Sequence, residues 1–109
     1  MTKYFKEIDC GNMDANFLSK LDKARNIADL PFKINSAYRS PKHNAKVGGS
    51  PNSSHLKGLA VDISCTDSRT RFIIVDALIK AGFNRIGIAD TFIHVDLDLD
   101  KSNKVIWTY

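Results

Sequence analysis

Two stretches decide the fold: residues 58–64, GLAVDIS, and residues 93–99, IHVDLDL. Side chains alternate between the two faces of a β-strand, so the apolar residues of each stretch point to one side and the polar residues to the other. We predict that both strands turn their apolar sides toward one core. Asp62 of the first stretch and His94 of the second then project from the same polar side of the sheet.

A third polar residue, His55, lies just before the first strand, where the chain around Gly58 can fold it over the same side. Two imidazoles and one carboxylate make three protein ligands, the pattern of a catalytic zinc site that keeps a fourth position for water. These donors also suit other divalent transition metals. Single histidines are more often hydrogen-bonded surface groups. The joint pattern nevertheless predicts one Zn2+ per chain, bound by His55, Asp62 and His94.

The rest of the pattern predicts an α+β fold with a mainly antiparallel sheet, helices on one face and the zinc site on the other. One helix is predicted over 14–29 with Asp14 as its N-cap, and another from Asp67 or Ser68 to Gly82. Along one side of the second helix recur Phe72, Val75, Leu78 and Ile79. The predicted strands are 32–38, 58–64, 85–89, 92–98 and 104–108, with the last three forming a meander.

Residues 40–54, SPKHNAKVGGSPNSS, are rich in proline, glycine and serine and predict a long loop. Structureless loops of this length within a compact domain are usually functional or mobile, and we expect this one to be functional. His43, within it, is expected to be exposed to solvent.

Length and composition limit the possible classes of protein. The chain has 109 residues, 43% of them hydrophobic and 26% charged, which predicts a single domain over residues 1–109. Its net charge of +4 comes from Lys and Arg residues scattered among Asp residues, so we predict no nucleic-acid binding. Cys10 and Cys65 form no C-x-x-C motif and are interpreted as small buried residues, with a disulfide as the alternative.

Three motifs carry a resemblance to a known family. Residues 53–62, SSHLKGLAVD, resemble the S-x-H-x-x-G-x-A-x-D signature of the zinc D-alanyl-D-alanine carboxypeptidase family. Relatives of that family include the D-Ala-D-Ala dipeptidases of vancomycin resistance, phage endolysin L-alanyl-D-glutamate peptidases and the hedgehog signalling domain. Residues 92–96, FIHVD, resemble its second metal motif, and residues 36–40, SAYRS, resemble its upstream segment with a substrate-binding arginine.

The resemblance implies that His55, Asp62 and His94 bind zinc and that Arg39 and Ser53 contact substrate. It further implies a peptidase that hydrolyses D-amino-acid peptides of bacterial peptidoglycan, as a D-Ala-D-Ala carboxypeptidase or an endolysin-like endopeptidase. The expected partner is therefore a peptidoglycan peptide, without nucleic acid or membrane. The sequence leaves the oligomeric state open.

The general base is where this sequence departs from the family, which often has an acidic residue or a histidine a few positions before the last ligand. Thr91 lies three residues before His94 and cannot act as a base. Asp96, on the same strand face as His94, is the favoured candidate, and Asp90 in the preceding turn is the other. Asp96 could instead orient His94. The missing acid also supports an alternative function, an inactive zinc-stabilised module that binds cell-wall peptide or a protein partner.

The first nine residues contain no apolar run typical of a signal peptide, and no stretch of about 18 apolar residues occurs in the chain. We therefore expect a protein that is made in the cytoplasm and reaches the cell wall by export or by phage-type release.

Overall fold

The computed structural model describes residues 2–8 and 11–109. Its helices and strands, in chain order, are α1 (Ala15–Ala28), β1 (Ile34–Ser36), α2 (Pro41–Lys46), β2 (Ala60–Ser64), α3 (Ser68–Lys80), β3 (Arg85–Ile88), β4 (Phe92–Asp96) and β5 (Val105–Thr108). Two 3-10 turns also occur, at Lys6–Ile8 and Ser54–Lys57.

The two long helices begin at the predicted caps. Asp14 accepts a hydrogen bond from the backbone N–H of Phe17 at 2.9 Å at the start of α1. Asp67 does the same for the N–H of Thr70 at 2.9 Å at the start of α3. Each carboxylate satisfies an N–H group that has no partner within its own helix, and this fixes where the helix starts.

The strands form one mixed sheet in the order β1-β2-β4-β3-β5. Three pairs of strands are antiparallel, and β3 and β5 are parallel. The predicted meander is therefore wrong at its last step, since β5 pairs with β3 and not with β4. The reason is that β4 already has a neighbour on each side, β2 and β3, so the last strand pairs instead at the free edge of β3.

All five strands are shorter in the structure than predicted. β1 covers Ile34–Ser36 rather than 32–38, and its register with β2 shifts between its two paired residues. β4 ends at Asp96 rather than at residue 98, because the Asp98 N–H donates to the Asp96 side chain at 3.1 Å and leaves the strand ladder.

The core lies between the apolar face of the sheet and the helices α1 and α3. The strands contribute residues with 0 to 1% of their surface exposed: Val61, Ile63, Ile86, Ile93 and Val95. Phe17 of α1 packs edge to face on Phe83, with ring centroids 5.6 Å apart. Burial of these side chains against two helices leaves the opposite, polar face of the sheet for the site, as the alternating sequence predicted.

The predicted apolar side of α3 is only partly correct. Leu78 is buried, but Phe72 and Ile79 are 74% and 52% exposed. The helix instead packs its neighbouring stripe, in which Ile74, Ala77 and Leu78 follow the three- and four-residue spacing of one helical face. Both stripes are apolar, and the position of α1 decides which one is covered.

The predicted loop at 40–54 contains the short helix α2. The Ser40 side chain caps it by accepting from the His43 N–H at 3.2 Å, and Pro41 occupies its first turn. Proline suits that position because it has no N–H to leave unpaired. His43 itself is exposed, as predicted.

Cys65 is buried, as expected of a small apolar residue, and Cys10 lies outside the described residues. Within residues 2–8 and 11–109, none of the helices combines the length and the apolar character that a membrane span requires.

Candidate metal centre

Asp62 and His94 lie side by side because β2 and β4 are antiparallel neighbours. Asp62 is the direct partner of His94 across the two strands. Nδ1 of His94 is 3.0 Å from Oδ1 of Asp62. The predicted common polar face is therefore present in the structure.

His55 reaches the same point from the 3-10 turn Ser54–Lys57. Gly58 ends this turn with a φ of 69°, and a Cβ at that position would lie 2.0 Å from the carbonyl oxygen of Asn12. Both the positive φ and the close approach require glycine. The turn places Nε2 of His55 3.3 Å from Oδ1 of Asp62.

The outer nitrogen of each imidazole faces an acceptor that fixes the ring. Nδ1 of His55 lies 2.7 Å from the Ala37 carbonyl oxygen, and Nε2 of His94 lies 2.7 Å from Oδ2 of Asp96. A carbonyl or carboxylate oxygen only accepts, so the outer nitrogens can carry the ring protons when a metal ion is held here. The two inner nitrogens, which both face Asp62, would then supply the lone pairs. Ligating histidines in metal sites have this arrangement.

The three donor atoms fit one metal ion. One ligand atom from each of His55, Asp62 and His94 lies within 4.8 Å of the others. His55 and His94 are buried, and the side chain of Asp62 is 13% exposed. Two neutral imidazole nitrogens and one carboxylate oxygen match the donor set of zinc sites that keep an open position. The cluster could therefore hold a metal ion.

Electrostatics keep the Asp62 carboxylate ionised. Burial alone would raise its pKa, but hydrogen bonds from His55 and His94 outweigh burial and lower the pKa from 3.8 to about 2. Burial likewise would lower the pKa of His94, but its contacts with Asp62 and Asp96 raise the pKa instead. A metal ion must displace any proton on the inner nitrogen of His94, so metal binding is coupled to pH.

A cavity of about 330 Å³ opens onto these three residues. Arg39 and Ser53, the predicted substrate contacts, line it, and so does Asp96. Within the part of the chain that the structure describes, Asp90 does not belong to this lining, and its carbonyl oxygen accepts from Arg71 at 3.3 Å. The structure thus brings together all the predicted site residues except Asp90.

Arg39 is held from the side away from the metal ligands. Its Nε donates to Oγ of Ser36 at 3.2 Å, and its Nη1 donates to Oδ1 of the buried Asn44 at 3.0 Å. The remaining nitrogen, Nη2, lies 3.8 Å from Oδ2 of Asp62. The guanidinium group is therefore fixed beside the candidate metal centre and presents one edge to it.

Ser53 has a structural contact as well as a place in the cavity wall. Its Oγ accepts from the His55 N–H at 3.2 Å and so caps the turn that carries His55. Its predicted contact with substrate stays a prediction.

Arg85, Trp107 and Tyr109 are among the cavity residues that the sequence prediction missed. Trp107 packs on the His94 ring with centroids 5.5 Å apart, and Arg85 contacts Asp96. The available signal is the two-residue spacing of Trp107 in β5 and Tyr109 just after it, since residues two apart share a strand face. It could not be used without knowing that β5 pairs with β3.

An α+β sheet that carries two imidazoles and a carboxylate beside an open cavity defines a candidate mononuclear metal site, of the type found in metal-dependent hydrolases. The family model for Peptidase M15 matches residues 2–96, which is more than half of the chain. The chain therefore belongs to the M15 peptidases, the family of zinc D-Ala-D-Ala carboxypeptidase-like enzymes. No curated protein matches the chain.

Proposed function

We propose that this protein is a zinc-dependent peptidase that hydrolyses D-amino-acid-containing peptides of bacterial peptidoglycan, as a D-Ala-D-Ala carboxypeptidase or an endolysin-like endopeptidase. The observation that carries the proposal is the convergence of His55, Asp62 and His94 in the cavity that Arg39 also lines. Membership of the M15 family supports a metallopeptidase. In this proposal the protein acts on the cell wall after export or phage-type release.

His55, Asp62 and His94 are the residues that would hold the ion. Bound zinc supplies a water of lowered pKa and polarises the carbonyl that is cut. The protein contributes the geometry: Ala37 and Asp96 fix the two rings, so little reorganisation is needed when the ion enters.

Arg39 would bind a carboxylate of the peptide substrate. Ser36 and Asn44 hold its Nε and Nη1, which orients the guanidinium plane before substrate arrives. Such preorganisation lowers the entropy lost on binding. A planar and permanently charged group suits a carboxylate, which presents two oxygens.

Asp96 and Asp90 are the candidates for the base that takes a proton from the attacking water. Asp96 lines the cavity, and its Oδ2 faces Nε2 of His94 while its Oδ1 accepts from Nε of Arg85. It therefore has an orienting contact with His94 besides its predicted role as base. At saturating zinc, Asp96→Asn is expected to lower kcat by about 100-fold or more, as for loss of a positioned base, and Asp90→Asn to have little effect.

The opposite ranking of these two variants would assign the base to Asp90. Retention of full activity in both variants would leave neither aspartate as the base.

The experiment that tests the function is incubation of purified protein with muropeptides, with and without added zinc, and mass spectrometry of the products. Release of free D-alanine indicates a carboxypeptidase, whereas internal cleavage of the stem peptide indicates an endopeptidase. Removal of zinc by a chelator should abolish either activity, and zinc should restore it.

The alternative is an inactive zinc-stabilised module that binds cell-wall peptide or a protein partner. Thr91 stands where the family has its base, and both oxygens of Asp96 are already hydrogen-bonded. These observations favour the alternative. Muropeptide binding without any cleavage by the zinc-loaded protein would establish it in place of the peptidase.

A further inference from the structure

We propose that Arg85 is a positioning residue for the metal centre: it fixes Asp96, and Asp96 in turn holds the inner nitrogen of His94 toward Asp62. The inference rests on the proposed metal centre and adds to it a residue that does not touch the metal ligands' donor atoms.

The first link is the ion pair between Arg85 and Asp96. Nε of Arg85 donates to Oδ1 of Asp96 at 2.7 Å, and the two side chains are 12% and 1% exposed. Nη1 of Arg85 also donates to the Ser102 carbonyl oxygen, so the guanidinium group is held at two points. Oδ1 of Asp96 accepts a second hydrogen bond from the Asp98 N–H. Asp96 is thereby fixed with Oδ2 directed at His94.

The second link fixes the rotation of the His94 ring. A half turn about the Cβ–Cγ bond would put the carbon Cδ2 where Nδ1 lies and the carbon Cε1 where Nε2 lies. Nε2 is 2.7 Å from Oδ2 of Asp96 and donates to it in the tautomer that binds metal, which keeps Nδ1 beside Asp62. If Asp96 could turn away, the ring would be held less firmly in this orientation.

Trp107 restrains His94 from its ring face and is itself placed by Arg85. The Arg85 guanidinium carbon lies 5.0 Å from the centre of the indole, a cation–π distance, and the indole packs on the His94 ring. Gly87, the strand partner of both His94 and Trp107, makes room for the indole. A Cβ at Gly87 would lie 2.6 Å from the indole. Arg85 therefore acts on His94 by two routes, through Asp96 and through Trp107.

Arginine is suited to this position because its planar fork can engage Asp96, Ser102 and the indole face together. A lysine could keep the charge and one hydrogen bond but not all three contacts. Comparison of Arg85→Gln with Arg85→Lys therefore shows whether zinc binding needs the three contacts of the arginine side chain or only its positive charge.

The test is the dissociation constant for Zn2+, measured by competition with a chromophoric chelator. Removal of a group that orients a ligand typically weakens metal binding by about 10- to 100-fold, and we expect about tenfold for Arg85→Gln. Arg85→Lys should recover part of this loss. The matched control is Arg71→Gln, since Arg71 also donates to a carbonyl oxygen, that of Asp90, but lies outside the cavity lining. Its zinc affinity should equal that of wild type.

A double-mutant cycle tests the route through Asp96. In an Asp96→Asn background only the route through Trp107 remains, so Arg85→Gln should weaken zinc binding by clearly less than the roughly tenfold expected with Asp96 present, because contacts that share one route are not additive. A full tenfold further loss would overturn the route through Asp96.

Circular dichroism establishes whether each variant is folded. If Arg85→Gln does not fold, Arg85→Lys carries the test with an expected few-fold loss of affinity. A folded variant that binds zinc as tightly as wild type would overturn this inference alone, since the arginine would then be merely structural. Failure of the wild-type protein to bind zinc would overturn the proposed function and this inference together.

Discussion

Two buried or nearly buried carboxylates, Asp62 and Asp98, have the same acidity but opposite kinds of partner. The pKa of each is lowered to about 2. Asp62 faces two imidazoles, at 3.0 Å and 3.3 Å. Asp98 accepts instead from Nζ of Lys57 at 2.9 Å and from the Ser54 hydroxyl at 2.8 Å.

The two carboxylates differ in whether their partners can also bind a metal ion. Lysine is a donor without lone pairs, so Lys57 neutralises Asp98 and offers nothing to a metal ion. Neutral imidazole has one lone pair, which His55 and His94 can direct inward to a metal ion beside Asp62. The run Asp96, Asp98, Asp100 has the acidic character of many metal sites, yet Lys57 contacts both Asp98 and Asp100. Acidity alone therefore does not distinguish the candidate metal centre, whereas two imidazole nitrogens that can supply lone pairs do.

The largest expected effect removes one of those lone pairs. His94→Ala should abolish stoichiometric zinc binding and hydrolysis while the fold is largely kept, because two protein ligands bind zinc far less tightly than three. Metal analysis of the dialysed protein measures this, with circular dichroism for the fold. Lys57→Gln, which alters the other carboxylate cluster, is the control and should retain one zinc per chain. Full zinc occupancy in His94→Ala would refute the ligand assignment.

A smaller effect is expected for Arg39, the cation beside Asp62. Nη2 of Arg39 is 3.8 Å from Asp62, whereas Nζ of Lys57 is 2.9 Å from Asp98, so Arg39 is the less engaged with its carboxylate and is proposed to bind substrate. Arg39→Lys should lower kcat/KM by roughly 10- to 100-fold, the equivalent of about 1.5 to 3 kcal/mol for a charge-assisted hydrogen bond. Steady-state kinetics on a muropeptide with a free terminal carboxylate measures it.

A substrate with an amidated carboxylate provides the control for Arg39. Amidation should weaken the wild-type enzyme by a similar factor and barely affect Arg39→Ala. Strictly additive effects of amidation and substitution would show that Arg39 holds the loop and not the substrate.

The smallest effect concerns stability and its dependence on pH. Asp98→Asn should lower the free energy of unfolding of the metal-free protein at pH 7 by about 1 to 3 kcal/mol, because charge-assisted hydrogen bonds are lost in a buried place. Burial would raise the pKa of Asp98, but Lys57 and Ser54 lower it from 3.8 to about 2. The carboxylate therefore stabilises the fold above about pH 4, and the contribution is lost as pH falls toward 2.

Urea unfolding of wild type and Asp98→Asn across this range measures that contribution. The difference between the two proteins should be constant from pH 7 to 5 and should narrow below pH 4. A difference that stayed constant down to pH 2.5 would contradict the ionic role of Asp98.

The alternating strands could be predicted from sequence because burial of one face leaves a two-residue period. That period gave the common face of Asp62 and His94, and the register of β2 and β4 made them neighbours. The caps Asp14 and Asp67 were predictable because their effect is local.

The rest depends on contacts that are distant in sequence. Trp107 enters the site only because β5 pairs with β3, which no local pattern encodes. Arg85 reaches Asp96 through the register of β3 on β4. Which of the two apolar stripes of α3 is buried depends on where α1 lies. The predicted stripe, which contains Phe72, is therefore not the one that is buried. Asp90 could not be separated from Asp96 by sequence, since both lie within four residues of His94.

The position of Trp107 also allows the candidate metal centre to be followed by intrinsic tryptophan fluorescence. It is the one tryptophan in the sequence, and its indole lies against the His94 ring. Tryptophan emission therefore originates at a single place, next to the candidate metal centre. A protonated imidazole quenches indole fluorescence, and a paramagnetic ion such as Co2+ quenches it strongly at short range. Titration of the site with protons or metal ions should thus be visible in the intrinsic emission, without an added dye or label.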